Sequence, residues 1–405
     1  MSTSIVEGTS LLSVKLSQQS FNQALSLVSK AVAKHGIQPV LSNVLLKANA
    51  QSKTLTFAAT DLDLSLAINV PAEVLEEGEV TVPAQKLQEL VGKLPHLDLT
   101  LHSSDKALIS ISCGRSKFEI KGLSAEQFPQ DFLKVNNPAE ATNEESNEFI
   151  NLPIQHLQKS AQLVSFASDK REVNSILNGI CVELSERGLE VAATDGSRLA
   201  YYNAPDCKSD EAKKVVIPFR TVNELSKLIA GLDEEHIKFY VANSAQISLK
   251  TDSRMLSSSL IDGSYPKYQQ LIPANHAHKA IVDRANFLSA LERVSVLANE
   301  RTKVVKLLFE EIGVLTISAS TPDLGEAQDQ IDIAEYNGQD FSIAFNVNYM
   351  LECLRNLDSE QVEMKMSEPL QPIIVSPVNQ SKDEDKVAPF NYFYLLMPLR
   401  TRPGA

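Results

Sequence analysis

Two aspartates in "TDLDLS", Asp61 and Asp63, stand two residues apart in a stretch of alternating apolar positions. On a strand that spacing puts both carboxylates on one side, where they could share a divalent cation. The plainer reading is two carboxylates on the wet face of a half-buried strand. The seven histidines are scattered, none has a nearby nucleophile or orienting partner in sequence, and His276 and His278 fall in a linker. No G-x-S-x-G, P-loop, H-E-x-x-H or G-x-G-x-x-G motif is present. Cys113, Cys181, Cys207 and Cys353 lie far apart without a C-x-x-C pair, which argues against zinc and a disulfide framework and points to a reducing, cytosolic compartment. The sequence therefore predicts no catalytic centre, no metal and no cofactor.

The elements around these residues explain more than the residues themselves. At 405 residues the chain exceeds one hydrophobic core, and 43% apolar with 22% charged residues is ordinary for a soluble globular protein. No apolar run approaches membrane-spanning length, and the opening "MSTSIVEGTS" has no basic region before an apolar core, so no secretory signal is expected.

The stretch "TVPAQKLQELVGKL" (81–94) returns as "VIPFRTVNELSKLI" (216–229) and as "AFNVNYMLECLRNL" (344–357), with Glu89, Glu224 and Glu352 in register. A second strand-then-helix element occurs as "VKLSQQSFNQAL" (14–25), "INLPIQHLQKSA" (150–161) and "AIVDRANFLSAL" (280–291). The two alternate, anchored at 16, 83, 152, 218, 282 and 346, so each gap is 64 to 69 residues. The chain reads as an α+β protein of three repeated domains, 1–144, 145–276 and 277–405. Each domain holds two half-repeats of antiparallel sheet plus one helix. Short alternating or β-branched runs supply the strands: "TLTFAATDLDLSLAINV" (54–70), "LEVAATDGSRLAYYNA" (189–204) and "VLTISAS" (314–320). Polar stretches at 136–148 and 272–279 read as linkers, and the acidic "NQSKDEDK" (379–386) as a solvated loop. Ser17 and Asp283 are expected to cap helices, and Pro83, Pro153 and Pro218 to occupy first turns. Leu87, Leu90, Val91 and Leu94 form a buried stripe, with Lys86 and Lys93 on a neighbouring face.

A net charge of −13 argues at first against a nucleic-acid partner, but binding follows local charge. The six helical segments together carry +7, which leaves −20 for the rest of the chain. The bases also recur in register: His35, Arg171 and Arg301 share one repeat position, Lys227 and Arg355 another. This predicts one shared basic surface. If the helices lined a ring at ~8–10 Å spacing, six would enclose a diameter of ~17 Å, which side chains fill, and twelve ~35 Å. Subtracting a helix diameter of ~10 Å leaves ~25 Å, enough for duplex DNA in a head-to-tail dimer and not in a monomer. A basic lumen would hold phosphates without sequence preference.

Nine motifs occur in order: "QPVLSNVLL" (38–46), "TDLDL" (60–64), "TVPAQKL" (81–87), "GRSKF" (114–118), "LNGI" (177–180), "ATDGSRLA" (193–200), "LIDGSYPKY" (260–268), "FNVNYML" (345–351) and "MPLR" (397–400). With these the chain resembles the bacterial sliding clamps, the β subunits of replicative DNA polymerase III, over about residues 12–400. The resemblance implies a non-catalytic processivity factor, a head-to-tail homodimeric ring with helices lining the hole. Its implied partners are double-stranded DNA, the replicative polymerase, the clamp loader and other clamp-binding proteins. It also implies a peptide-docking pocket carried by Leu177, Thr194, Gly196, Arg198, Leu199, Pro266, Leu271, Asn346, Tyr349, Leu370, Met397, Pro398, Leu399 and Arg400. Arg198 and Asn346 are expected to hold the peptide backbone or its glutamine. His35, Lys86, Arg171, Arg220 and Lys303 are candidate DNA contacts, and Ile120 and Leu297 match apolar positions at the subunit junction. Departures from the family pattern fall at Ser197, Gln270, His35 and Thr302, and the tail "TRPGA" could partly cover the pocket. The rival reading is a repeat scaffold that binds only proteins and needs no basic lumen.

Overall fold

The computed structural model describes residues 11–33, 38–104, 106–134, 149–172, 175–242, 245–322, 325–378 and 390–400. His35, the first linker, the acidic loop and the tail 401–405 lie outside them. The chain divides into two compact units, Met1–Leu152 with Glu224–Leu260, and Pro153–Asn223 with Ile261–Ala405.

The helices are α1 (Gln18–Val28), α2 (Ala84–Val91), the single turn α3 (Asp131–Lys134), α4 (Ile154–Val164), α5 (Phe219–Ile229), α6 (Arg284–Ser295) and α7 (Val347–Asn356). Apart from α3, they fall on the six repeat positions. Ser17 Oγ accepts from Ser20 N at 3.1 Å and Asp283 Oδ1 from Asn286 N at 2.7 Å, so both expected caps are formed. Pro83, Pro153 and Pro218 each end a strand, and the helix begins at the next residue, one position later than the sequence predicts. The ring fixes φ near the value common to extended and helical backbone, so proline fits the junction from either side. Lys93 lies beyond α2, in the turn that follows Gly92. The helices lay apolar stripes on the sheets: Phe21, Ala24, Leu25 and Val28 of α1 are buried, and Phe21 meets Phe57 edge-on at 4.8 Å.

The first unit holds a five-stranded sheet in the order Glu73–Glu76, Ser13–Ser17, Asp98–Ser103, Leu108–Cys113, Ser116–Lys121. Its eight-stranded sheet runs Ile150–Pro153, His236–Ala242, Gln246–Lys250, Arg254–Ser259, Leu64–Pro71, Thr54–Thr60, Asn43–Asn49, Gly78–Pro83. The second unit holds a nine-stranded sheet: Lys213–Pro218, Gly179–Ser185, Gly188–Thr194, Arg198–Ala204, Asn391–Leu396, Ile373–Val378, Gln361–Met366, His278–Asp283, Glu335–Asn337. Its four-stranded sheet runs Gly325–Asp332, Val314–Thr321, Val304–Glu310, Phe341–Asn346. All registered pairs are antiparallel.

Each long sheet joins strands from successive repeats. Leu64–Pro71, under α1, pairs with Arg254–Ser259, and Arg198–Ala204, under α4, pairs with Asn391–Leu396. The third strand of this kind, Gly325–Asp332 under α6, is the end strand of its sheet. Ser116–Lys121, one repeat before Arg254–Ser259, is likewise an end strand.

Two expectations change. Asp61 and Asp63 sit in the turn between Thr54–Thr60 and Leu64–Pro71, not along a strand. Asp61 Oδ1 accepts from Asp63 N at 3.2 Å and Leu64 N at 2.9 Å, while Leu62 takes a left-handed φ of 80°. That carboxylate builds its own Asx turn. His278 opens the strand His278–Asp283 and packs its ring 4.5 Å from Phe341, so the second linker is shorter than the polar run suggests. Among the described residues no helix is long and apolar enough to cross a membrane.

Candidate functional site

The "ATDGSRLA" segment builds the centre of the candidate pocket. Gly196 at φ 85° makes the tight turn between two strands of the nine-stranded sheet, and a Cβ there would meet nothing within 4 Å. Backbone strain alone therefore accounts for glycine at this position. Thr194 Oγ1 donates to Arg198 O at 2.6 Å and accepts from Gly196 N at 3.1 Å, which closes the turn. Asp195 Oδ1 accepts from Ser197 N and Arg198 N at 2.9 and 3.2 Å.

Arg198 lies under this turn and is only 6% exposed. Its Nε donates to Asp195 Oδ2 at 3.0 Å, Nη2 to Phe166 O at 2.9 Å, and Nη1 to Glu352 Oε2 of α7. The guanidinium also sits 4.3 Å from the Tyr349 ring centroid. Burial works against its charge, but Tyr394, Glu352 and Asp195 more than offset that and leave its pKa above the ordinary arginine value. The sequence reading gave Arg198 a direct peptide contact. Its contacts in the structure are those of an internal pin, tying the Asp195 turn to α7, which carries both Glu352 and Tyr349. Asn346 is committed in the same way, since its side chain caps α7 by accepting from Asn348 N at 3.0 Å.

Other predicted residues form an apolar floor. Leu199 is fully buried and shares one cluster with Met397, Tyr265, Tyr268 and Leu395. Met397 N donates to Ser197 O at 2.9 Å, and Leu399 N to Ala344 O at 2.7 Å, so "MPLR" is held at both ends. Pro266 lies between the two tyrosines and Leu271 follows them, 47% exposed. Leu177 O accepts from Asp169 N at 2.8 Å. Leu370, Leu399 and Arg400 line a cavity of about 460 Å³ together with Lys306, Ser342, Ile343, Ala344 and Pro369. Leu370 and Leu399 remain 57% and 37% exposed, as an open apolar wall requires. Sequence reasoning missed Tyr265, whose hydroxyl accepts from Thr194 N at 3.1 Å, and the Phe166 carbonyl that receives Arg198. It had placed Glu352 in register with Glu89 and Glu224. All three pair with cations, but Glu89 and Glu224 use Lys86 and Lys227 of their own helices, whereas Glu352 reaches Arg198.

The candidate DNA contacts are placed differently from one another. Lys86 is exposed on α2 and pairs with Glu89 at 3.1 Å. Arg220 is exposed in the first turn of α5. Arg171 is exposed and holds Asp169 with Nε and Nη2, both at 2.9 Å. These hydrogen bonds lower the Asp169 pKa and raise that of Arg171. Arg171 N donates to Asp169 Oδ1 at 2.9 Å and Arg301 N to Asn299 Oδ1 at 3.0 Å, so the two arginines that share a repeat position also share a turn. Lys303 is half-buried at a left-handed φ of 49°, bonded through its backbone to Asn299 and Val347. Within the second unit α4, α7 and α6 stand side by side: Gln162 Nε2 donates to Asn356 O at 3.0 Å, and Arg355 Nη2 to Glu292 Oε1 at 2.7 Å. Ile120 is half-buried on the open edge Ser116–Lys121, and Leu297 is half-buried just after α6, where its carbonyl accepts from Thr321 Oγ1 at 2.8 Å.

Comparison with known proteins agrees with this architecture along the whole chain. Residues 12–132, 151–267 and 269–391 match the N-terminal, central and C-terminal domain profiles of the DNA polymerase III beta subunit. The beta sliding clamp of Synechocystis sp. is 32% identical over 402 residues, covering 95% of this chain and 98% of that protein. That of Synechococcus elongatus is also 32% identical, over 391 residues, with 95% and 98% covered. A crystal structure of the Pseudomonas aeruginosa sliding clamp bound to griselimycin superposes with a TM-score of 0.84 at 27% identity, covering 96% of this chain and 100% of that one. The chain therefore belongs to the DNA polymerase III beta subunit family, the beta sliding clamps, which are non-catalytic processivity factors.

Proposed function

We propose that two copies of this chain close head to tail into a ring of three-domain subunits, divided at 1–144, 145–276 and 277–405, which encircles duplex DNA in the cytoplasm. In this reading the cavity lined by Leu370 and Leu399, together with the apolar cluster of Leu199 and Met397, docks peptides of the replicative polymerase, the clamp loader and other clamp-binding proteins.

The observation that carries the reading is the pair of open sheet edges. Two of the three equivalent strands, Leu64–Pro71 and Arg198–Ala204, already pair with a strand of the next repeat. The third, Gly325–Asp332, and the strand that would complete it, Ser116–Lys121, are both end strands. Their charges are complementary: Glu326, Asp329 and Asp332 on one, Lys117 and Lys121 around Glu119 on the other. Apolar side chains sit beside both, with Phe118 37% and Val296 73% exposed. Unpaired edges attract a second chain, and an end-to-end contact of this kind closes only if the rotation between copies closes. Inside the ring, Lys86, Arg171 and Arg220 would meet phosphate without reading sequence.

The test is retention on nicked circular plasmid after loading by a clamp loader. Retention that disappears when the plasmid is linearised is the expected result. A protein never retained where a control clamp loads would leave a repeat scaffold that binds only proteins.

A further inference from the structure

The sequence spacing offers no metal site, yet the fold brings His156, Asp206 and Cys207 together, their donor atoms all within 4.8 Å of one another. His156 comes from α4, and the other two from the turn after the strand Arg198–Ala204. We propose that these three side chains bind one thiophilic divalent cation of the zinc class, away from the candidate pocket and unrelated to clamp action.

The donors are gathered around one point, a little wider apart than in a closed coordination shell. His156 Nε2 lies 3.4 Å from Asp206 Oδ2, and Cys207 Sγ lies 3.9 Å from Asp206 Oδ1. With zinc–nitrogen and zinc–oxygen bonds of about 2.0–2.1 Å and zinc–sulfur of about 2.3 Å, neighbouring donors of a tetrahedral site stand roughly 3.3–3.6 Å apart. These two distances run to different oxygens of Asp206, and the three donors are held within 4.8 Å of one another, so closing on a cation needs a shift of up to about 1 Å at the sulfur.

The imidazole is also oriented as a ligand requires. His156 is 1% exposed, and its Nδ1 lies 2.5 Å from the Tyr202 hydroxyl. With Nδ1–H donating to Tyr202, Nε2 turns a lone pair toward Asp206 and Cys207. A ligand histidine is held by an outer partner in this way. Phe390 stacks on Tyr202 at 4.9 Å and supplies an apolar wall behind it. Access is from the side of Asp206, whose side chain is 46% exposed.

The feature is not shared by the sister helices. One position before the core residues Phe21 and Phe287 stand Ser20, half-buried, and Asn286, exposed. In α4 the fully buried side chain is His156, and Leu157 is pushed half out. Burying a polar ring where the sister helices carry Ser20 and Asn286 costs stability unless the ring is bonded on both nitrogens. The three-residue set leaves the fourth tetrahedral position to water. Binding deprotonates Cys207, the proton passing to solvent, and leaves the imidazole neutral.

Cobalt(II) titration of the full-length protein tests the proposal, because a thiolate ligand gives a sulfur-to-cobalt charge-transfer band that nitrogen and oxygen ligands do not. One equivalent of cobalt should produce that band, and zinc should bleach it. Cys207→Ser should abolish it while Cys181→Ser leaves it in place. Asp206→Asn, at an exposed position that the fold tolerates, should weaken binding at least about tenfold without moving the metal-free melting temperature. A band that is absent, that survives Cys207→Ser, or that is unaffected by Asp206→Asn overturns the site.

Discussion

Replacing Arg198 by alanine should destabilise the unit formed by Pro153–Asn223 and Ile261–Ala405 by about 3 kcal/mol. The guanidinium satisfies Asp195, Glu352 and the Phe166 carbonyl at once and is 6% exposed. Removing one member of a buried pair costs roughly 3–5 kcal/mol, because the remaining charge is stranded. Asp195, with its side chain 9% exposed, is such a charge. Glu352 is 42% exposed and can turn to water, which sets the cost at the low end of that range. At roughly 2–4 °C per kcal/mol for a unit of this size, its calorimetric transition should fall by about 6–12 °C. The transition of the other unit should stay in place. Peptide affinity should also fall, as a consequence, because Tyr349 loses the cation it stacks on. Arg198→Lys keeps the charge but cannot form the three-way fork, so it should lie between the two. An unchanged melting temperature with peptide binding lost would refute this reasoning and make Arg198 a contact residue instead of a pin.

Leu370→Ser with Leu399→Ser should leave the melting temperature in place, because both side chains are already exposed, and weaken peptide binding by about 2 kcal/mol, or roughly thirtyfold, by fluorescence anisotropy. Charge reversal at Lys86, Arg171 and Arg220 should flatten the salt dependence of plasmid retention by roughly 2–3 logarithmic units while peptide binding stays intact. Asp169 has a folded pKa below its ordinary value because Arg171 donates to it, so its contribution is present at neutral pH and lost as pH falls through that folded value. Urea melts should therefore show Asp169→Asn less stable than the parent at pH 7, with the gap closing below about pH 4. Lys117→Glu with Lys121→Glu should shift sedimentation toward monomer, and adding Glu326→Lys with Asp332→Lys should restore the dimer.

The elements legible in the sequence were those set by local chemistry and by repetition. Ser17 and Asp283 announce their helices because a cap is a contact across three residues. The six helices are legible because each period reports the same part again. Asp61 and Asp63 misled for a local reason too: "DLDLSL" alternates like a strand, but the left-handed φ of Leu62 turns the chain before the second strand begins. Contacts across long separations were not legible. Nothing in "DGSR" says that its arginine is buried, since the partner Glu352 lies 154 residues away. Histidines counted as scattered hid His156, whose Asp206 partner is 50 residues distant and on another element.

The same topological part is used in two chemical versions, and that difference bears on how a clamp could open. The seams inside the chain are built from buried side chains: Leu66 against Leu256 and Ala67 against Met255 in one, and Leu199 against Leu395, Ala200 against Tyr394 and Tyr202 against Tyr392 in the other. Those ladders cannot part without exposing core. The two open edges carry lysine and glutamate or aspartate at the corresponding places, which keeps an unpaired edge soluble. Charge-paired edges gain less from burial and are weakened by salt. A ring closed by such edges would have its weak points at the subunit junctions and not at the two seams within each chain, so opening would begin where the chain has already provided for exposure.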